Sequence, residues 1–262
     1  MKLIKEKSDH GILRLIMNNL DQGNALSESM MSILMDEIKS ASSDQSIKVI
    51  VLAANGNVFC SGHDLKEITT ARENEDSGEA YFKNLFDSCS SLMQLIVNIP
   101  QPVIAEVDGV ATAAGCQLVA SCDLAIASNE SKFATPGVNI GLFCSTPMVA
   151  LSRNVNKKNA MEMLLTGDFI NTEKAKEIGL INNMVPKEEL TFEVSKLAEK
   201  IASKSSMTVS IGKKAFYAQA EMDLSKAYKY TSKTMKDNLL KYDAKEGINA
   251  FIEKRSPDWK DK

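Results

Sequence analysis

Short apolar runs alternate with helical periodicity along roughly the first half of the chain. Four runs have the length and composition of strands, and one of them, Val49 to Ala53, is continuously apolar, as expected for a strand that is buried on both faces of a parallel sheet. These runs are Ile12 to Met17, Val49 to Ala53, Val103 to Val107 and Leu124 to Ala127. The segments between them carry apolar residues three and four positions apart, as in helices that pack on one side. This alternation predicts the βαβ units of an α/β core.

The pattern defines the bounds of two helices in the first half of the chain. The second half has a mostly helical pattern. The first helix follows Ser27, a good N-cap residue. Its apolar stripe consists of Met31, Leu34, Met35 and Ile38. The second covers Glu79 to Val97, after a polar stretch from Thr69 to Gly78 that we expect to be a flexible loop. Beyond Thr146 only Ile181 to Val185 interrupts the helical pattern with a short apolar run.

Composition and charge narrow the class of protein. The 262 residues are 44% hydrophobic and 25% charged, which fits one large globular domain or one domain with a small appendage. A net charge of −3 without a long basic run argues against nucleic acid or an anionic membrane surface as partner. No apolar run approaches about 18 residues and no signal region is present, so we expect a soluble cytoplasmic protein. A mitochondrial matrix protein whose transit peptide has been removed is the alternative.

The cysteines, histidines and missing motifs exclude several kinds of site. The five cysteines, Cys60, Cys89, Cys116, Cys122 and Cys144, include no CxxC pair, and we interpret them as reduced thiols. With only two histidines and no zinc spacing, we expect no metal site. The chain has no GxGxxG, GxxxxGK[ST], GxSxG or HExxH motif, which argues against the usual nucleotide-binding, esterase and zinc-protease sites.

Two segments rich in small residues follow buried strands. They are Val58 to Leu65 and Gly109 to Gln117, and each leads from a strand into a helix. Free N–H groups and the helix dipole at such a start favour negative charge, so either segment is a candidate anion site. Close packing of helix on sheet, which also selects Ala and Gly, is the alternative explanation.

Motifs spread along the chain resemble those of the crotonase, or enoyl-CoA hydratase/isomerase, superfamily. They include Phe59-x-x-Gly62-x-Asp64-Leu65, Leu118-x-x-x-Cys122-Asp123-Leu124, Phe133-Ala134-x-Pro136, the run Ala160 to Gly167 and the terminal run Ala250 to Pro257. Their order and spacing match the superfamily over nearly the whole chain. Two segments, Ala113 to Asp123 and Phe133 to Pro147, most resemble the branch of the enoyl-CoA hydratase domain-containing protein 3.

The resemblance implies a fold, an assembly and a ligand. The fold is α/β, a crotonase (ClpP-like) spiral of ββα units over residues 1–195, followed by a helical trimerisation region over 196–262. The assembly is a homotrimer or a dimer of trimers. The ligand is an acyl-CoA thioester that serves as substrate, with no further cofactor.

The resemblance also implies site residues. The backbone N–H groups of Ser61 and Ala114 would form an oxyanion hole for the thioester carbonyl. Residues implied along the CoA path are Ser61, Gly62, His63, Asp64, Leu65 and Gly115, with Lys254 as a further contact to CoA.

Departures from the superfamily pattern decide which reaction is expected. Gln117 and Gly137 occupy the positions that match the two catalytic carboxylates of family hydratases. A Gln amide can hold a water but does not titrate, and one positioned acid or base is worth about 10² to 10⁴ in rate, so we expect weak hydration. Because Gly62-His63-Asp64 resembles the methylmalonyl-CoA decarboxylases, one alternative is a malonyl-type acyl-CoA decarboxylase that uses His63. The other alternative is a non-catalytic acyl-CoA binder. A carboxylate distant in sequence, such as Glu67 or Glu106, would supply the missing acid or base only if it reached the acyl pocket.

Overall fold

The computed structural model describes all 262 residues and contains ten strands and eleven α-helices. The strands are β1 Leu3–Lys7, β2 Ile12–Met17, β3 Val49–Ala54, β4 Val58–Cys60, β5 Val103–Val107, β6 Val110–Thr112, β7 Leu124–Ser128, β8 Lys132–Ala134, β9 Ile170–Asn171 and β10 Asn183–Val185. The helices are α1 Glu28–Ser43, α2 Leu65–Ala71, α3 Glu79–Asn98, α4 Ala114–Ser121, α5 Pro147–Asn154, α6 Lys157–Thr166, α7 Thr172–Glu177, α8 Leu190–Ala202, α9 Ser206–Ala220, α10 Leu224–Leu239 and α11 Tyr242–Ile252.

From β3 to β8, successive strands alternate between two sheets. The first sheet has the order β1-β2-β3-β5-β7-β10 and the second the order β4-β6-β8-β9. Within them β3, β5 and β7 pair in parallel, as do β4, β6 and β8. Each turn of the chain therefore places one strand in each sheet before the next helix or loop, which is the spiral of ββα units that the sequence predicts.

The core lies on both faces of the first sheet. The larger part packs α1, α3 and α4 on one face, and a smaller cluster packs α8 on the other. The face of α8 that meets the sheet consists of Leu190, Val194, Ala198 and Ala202, spaced four residues apart. Helix α8 thus continues across the domain boundary predicted between residues 195 and 196, and the peripheral helical part begins with α9.

Most predicted elements are present with ends close to those expected. Ser27 caps α1 by accepting a hydrogen bond from the Met30 N–H. The loop predicted from Thr69 instead begins after Ala71, because residues 69–71 complete α2. Strand β1 and the short strands of the second sheet are absent from the prediction. None of the helices combines the length and apolarity needed to cross a membrane.

Candidate active site

The two small-residue segments meet at the ends of paired strands. Strand β4 runs parallel to β6, with Val58 opposite Val110, so the residues that follow both strands emerge at one edge of the second sheet. There the Thr112 hydroxyl donates to the Ser61 carbonyl at 3.0 Å. A Cβ atom on Gly62, whose φ is +98°, would lie 3.0 Å from the Ala113 Cβ. The loop at residues 61–64 and the start of α4 are therefore in van der Waals contact.

Ala113 turns the chain from β6 into α4 with a strained backbone. Its φ of +50° and ψ of −117° are unfavourable for a residue that carries a Cβ atom. The Ala113 N–H donates to the Ala134 carbonyl at 3.0 Å, which holds the turn in place. The next N–H, that of Ala114, is the first of α4, and no side chain caps this helix. It therefore has no intrahelical acceptor and faces the loop at Gly62.

The Ser61 N–H, predicted as the other oxyanion donor, is already engaged. It donates to the Gly23 carbonyl at 3.0 Å, and the Gly62 carbonyl accepts from the Leu26 N–H at 2.7 Å. These two bonds fix the loop to the segment before α1. The His63 N–H, by contrast, has no acceptor in the protein. The available donor of this loop is thus the N–H of His63, and the sequence-based choice of Ser61 requires correction.

The His63 side chain is held in one orientation. Its Nδ1 lies 3.2 Å from the Leu26 carbonyl, an acceptor, so Nδ1 carries the proton. The Phe86 ring meets the imidazole edge to face, with centroids 5.7 Å apart. Burial lowers the pKa of His63, opposed by the bond to Leu26 and by the charge of Glu67. The ring is therefore neutral at pH 7, and its Nε2 lone pair is buried without a partner.

The remaining residues predicted along the CoA path have different surroundings. Asp64 caps α2 and accepts from the Lys66 N–H at 2.8 Å, while Leu65 is exposed at the start of that helix. A Cβ on Gly115 would overlap the Cys60 carbonyl oxygen, so Gly115 serves close packing of α4 on β4. Lys254 is exposed beyond α11, and no hydrogen bond or ion pair joins its side chain to the loop.

The positions that match the two hydratase carboxylates carry no charge. Gln117 is buried in α4, and its Oε1 accepts from the Cys89 thiol at 3.7 Å. A Cβ on Gly137 would overlap the Leu142 carbonyl and lie 2.8 Å from the Cys144 sulfur. All five cysteines are free and buried, and burial raises the pKa of Cys89 to about 12, so this thiol is neutral. The two positions that match the hydratase carboxylates, and the Cys89 thiol beside Gln117, are therefore uncharged.

Two distant carboxylates, Glu106 and Glu67, are considered from the sequence as replacements for the hydratase carboxylates. Neither lies beside Gln117 or Gly137. Glu106 accepts from Arg14 through both oxygens, at 2.6 and 2.9 Å, and from the Thr191 hydroxyl of α8, on the face of the first sheet away from α4. Glu67 accepts from the Tyr81 hydroxyl at 3.2 Å and from the Glu28 N–H at 3.1 Å. Glu67 lies next to the loop. Its hydrogen bond with Tyr81 links residues 14 positions apart, and no local sequence motif predicts this contact.

Comparison with known proteins places this geometry in a family. A family model described as "Enoyl-CoA hydratase/isomerase" matches residues 7–262. The mitochondrial enoyl-CoA hydratase domain-containing protein 3 of Xenopus laevis is 49% identical over 97% of this chain and 84% of its own length. The crystal structure of human enoyl coenzyme A hydratase domain-containing protein 3 superposes with a TM-score of 0.94 at 48% identity, covering 99% of this chain and 100% of that one. A Mycobacterium smegmatis enoyl-CoA hydratase gives a TM-score of 0.94 at 44% identity, covering 99% of each chain.

The chain therefore belongs to the enoyl-CoA hydratase/isomerase family, the crotonase superfamily. Both the fold and the superfamily predicted from the sequence motifs are confirmed. Within the superfamily, the chain falls in the branch of the enoyl-CoA hydratase domain-containing protein 3.

Proposed function

We propose that the protein binds acyl-CoA thioesters and holds the thioester carbonyl oxygen between the N–H groups of His63 and Ala114. The observation that carries this proposal is the contact of the loop with the start of α4, where both N–H groups lack a protein acceptor. Backbone donors of this kind need an acceptor from a ligand or water. Two fixed donors also stabilise negative charge that develops on a carbonyl oxygen. Family membership supports the thioester as the ligand.

Hydration of enoyl-CoA is expected to be weak. Gln117 presents an amide that does not titrate, and Gly137 leaves no room for a side chain next to Leu142 and Cys144. Because one positioned acid or base contributes about 10² to 10⁴ in rate, losing both should cost most of the ordinary hydratase activity. We place the protein in fatty-acid or related acyl-CoA metabolism as a thioester-binding member of its family.

Location and assembly are part of the same proposal. The relatives of the same branch are named as mitochondrial proteins, which favours the mitochondrial matrix over the cytoplasm. The helices from α9 onward leave large apolar side chains exposed, among them Leu224, Tyr228, Leu240 and Phe251. Such a surface favours association with further copies of the chain, and we propose a homotrimer or a dimer of trimers. Light scattering coupled to gel filtration would measure the assembly.

The test of thioester binding is a paired measurement on purified protein. Calorimetric titration with butyryl-CoA and with CoA alone would report affinity. Carbon-13 NMR of butyryl-CoA labelled at the thioester carbonyl would report hydrogen bonding to that oxygen. We expect binding and a downfield shift of the carbonyl signal. Turnover of crotonyl-CoA should be far below that of a family hydratase, and release of CO₂ from a malonyl-type thioester would support the decarboxylase alternative.

Two loop variants separate the oxyanion hole from general packing. Gly62→Ala adds a methyl group at a positive φ and against Ala113, so it should reduce the carbonyl shift. Ser61→Ala leaves the backbone bond to Gly23 in place and should not change the shift. Failure to bind any thioester would remove the proposal, and equal shifts in both variants would remove the assignment of the hole.

A further inference from the structure

A single hydrogen bond sets the direction of the available N–H of the loop. The Gly62 carbonyl accepts from the Leu26 N–H at 2.7 Å. The Gly62 carbonyl and the His63 N–H belong to one planar trans peptide group, so they point in opposite directions. The bond from Leu26 therefore turns the His63 N–H away from the segment before α1. Where Leu26 stands decides where this donor points.

The two preceding peptide groups of the loop are held as well. The Ser61 N–H donates to the Gly23 carbonyl at 3.0 Å, and the Ser61 carbonyl accepts from the Thr112 hydroxyl at 3.0 Å. Of the three bonds that fix the peptide groups of the loop, two come from residues 23–26, between β2 and α1. The position of this segment therefore sets the position of the loop.

Asn24 fixes residues 23–26 to the rest of the protein. It is 1% exposed, and its Oδ1 accepts from the Asn19 N–H at 2.7 Å. Its Nδ2 donates to the carbonyls of Asn55 and Val58, at 3.0 and 2.7 Å. Both N–H donors of the amide are thus used, and a carboxylate could not replace them. The φ of Asn24 is +52°, a value that asparagine tolerates better than most residues.

The two acceptors of the Asn24 amide lie next to the strand that leads into the loop. Val58 is the first residue of β4, and Asn55 directly follows β3. The side chain of Asn24 is therefore bonded to the start of β4, while its neighbours Gly23 and Leu26 are bonded to the loop that follows the end of β4. These contacts fix the loop relative to its own strand from both ends.

We propose that Asn24 is a positioning residue of the oxyanion hole. By fixing Leu26 in place, Asn24 orients the His63 N–H toward the thioester carbonyl without itself touching the ligand. This inference rests on the proposed function, since it requires the carbonyl oxygen between the N–H groups of His63 and Ala114. A donor that is fixed in advance stabilises developing charge better than a mobile one, because no reorganisation is needed when the charge appears.

A pair of ligands isolates the interaction with the carbonyl oxygen. S-butyl-CoA, a thioether, has a methylene group where butyryl-CoA has the carbonyl. The ratio of their dissociation constants, measured by calorimetry on the full-length protein, therefore reports on the donors of the hole. The carbon-13 signal of butyryl-CoA labelled at the carbonyl gives a second, independent measure. For the wild type we expect tighter binding of butyryl-CoA and a downfield carbonyl shift.

Two variants of Asn24 test its role. Asn24→Asp keeps the shape and the Oδ1 acceptor but loses both N–H donors, whereas Asn24→Gly accepts the positive φ and loses the whole side chain. We expect each variant to reduce the preference for butyryl-CoA over S-butyl-CoA by about 2–10-fold, the range for one hydrogen bond, and to reduce the carbonyl shift. If Asn24→Asp did not fold, Asn24→Gly would carry the test, because it introduces no buried charge.

Gln101 offers a matched control for Asn24→Asp. Its buried Nε2 donates to the carbonyls of Ala41 and Ile47, at 2.9 and 3.3 Å. Ala41 lies in the last turn of α1, at the end of the helix away from the loop. Gln101→Glu therefore makes the same chemical change, an amide that bridges two main-chain carbonyls becoming a carboxyl group. It should lower stability in urea denaturation and leave the affinity ratio and the carbonyl shift unchanged.

The outcomes separate the role of Asn24 from the existence of the hole. An unchanged affinity ratio and carbonyl shift in both Asn24 variants would overturn the inference alone and leave Asn24 with a role in stability only. An equal effect of Gln101→Glu would also overturn it, because the loss would then follow stability rather than position. A wild type that binds both ligands equally, without a carbonyl shift, would overturn the proposed function together with the inference.

Discussion

Helix α4 lies so close to strand β4 that a Cβ atom on Gly115 would overlap the carbonyl oxygen of Cys60. This backbone contact sets where the first N–H groups of α4 stand relative to the loop at residues 61–64. We expect Gly115→Ala to lower the free energy of unfolding by about 3 kcal/mol, because neither backbone can yield without moving the other. Urea denaturation followed by circular dichroism would measure the change.

Gly212 offers a matched control for Gly115→Ala. It lies inside α9 with open space around its Cβ position. Gly212→Ala should therefore stabilise the protein by about 0.5–1 kcal/mol through helix propensity alone. If the two substitutions changed stability by the same amount, α4 would not be in contact with β4 at this point.

Ala113 adopts a backbone conformation that glycine tolerates better. With φ at +50° and ψ at −117°, relief of strain should exceed the entropic cost of a glycine in the unfolded chain. We expect Ala113→Gly to raise the free energy of unfolding by about 1 kcal/mol. Ala227→Gly, within α10, should lower it by a similar amount. Destabilisation by both variants would show that Ala113 is not strained.

A buried lysine ties the helical part of the chain to the core. The Lys213 ammonium of α9 donates to the carbonyls of Ile96 and Gln101 at 2.8 and 2.9 Å, and to Asp123 at 2.7 Å. Its side chain is 6% exposed. Lys213→Met would leave Asp123 without its cation, and we expect a loss of about 3–5 kcal/mol in urea denaturation. Lys214→Met, one residue further and exposed, should change stability by less than about 0.5 kcal/mol. If Lys213→Met lowered the free energy of unfolding by less than about 1 kcal/mol, Lys213 would not join α9 to the core.

The first sheet was predictable because its central strands are buried on both faces. Val49–Ala54, for example, reads as an uninterrupted apolar run, and its first five residues are buried. Leu3–Lys7 escaped prediction because it is an edge strand with one buried residue among charged ones. The strands of the second sheet are two or three residues long, too short to show a period. Their positions are set by pairing across the sheet rather than by local pattern.

The candidate site shows the same division between local and long-range information. Small residues after buried strands singled out the loop and the start of α4, which the structure brings into contact. They did not show which N–H of the loop is available, because the acceptor for Ser61 is Gly23, which lies far earlier in the chain. The orientation of His63 depends in the same way on Leu26 and Phe86, which no spacing rule connects to it.

Burial of His63 makes the stability of the protein depend on pH near neutrality. Burial lowers the folded-state pKa of His63 below its ordinary value of 6.5. Between that lowered pKa and 6.5 the unfolded chain binds more protons than the folded one, so the free energy of unfolding decreases as the pH falls. This contribution is fully present above 6.5 and is lost through that window, at no more than about 1.4 kcal/mol per pH unit. Thermal or urea unfolding should be measured from pH 7.5 to 5. The free energy of unfolding should depend less on pH for His63→Gln than for wild type. His10→Gln, at an exposed site, should follow the wild-type dependence. Parallel profiles for wild type and His63→Gln would contradict the burial of the neutral ring.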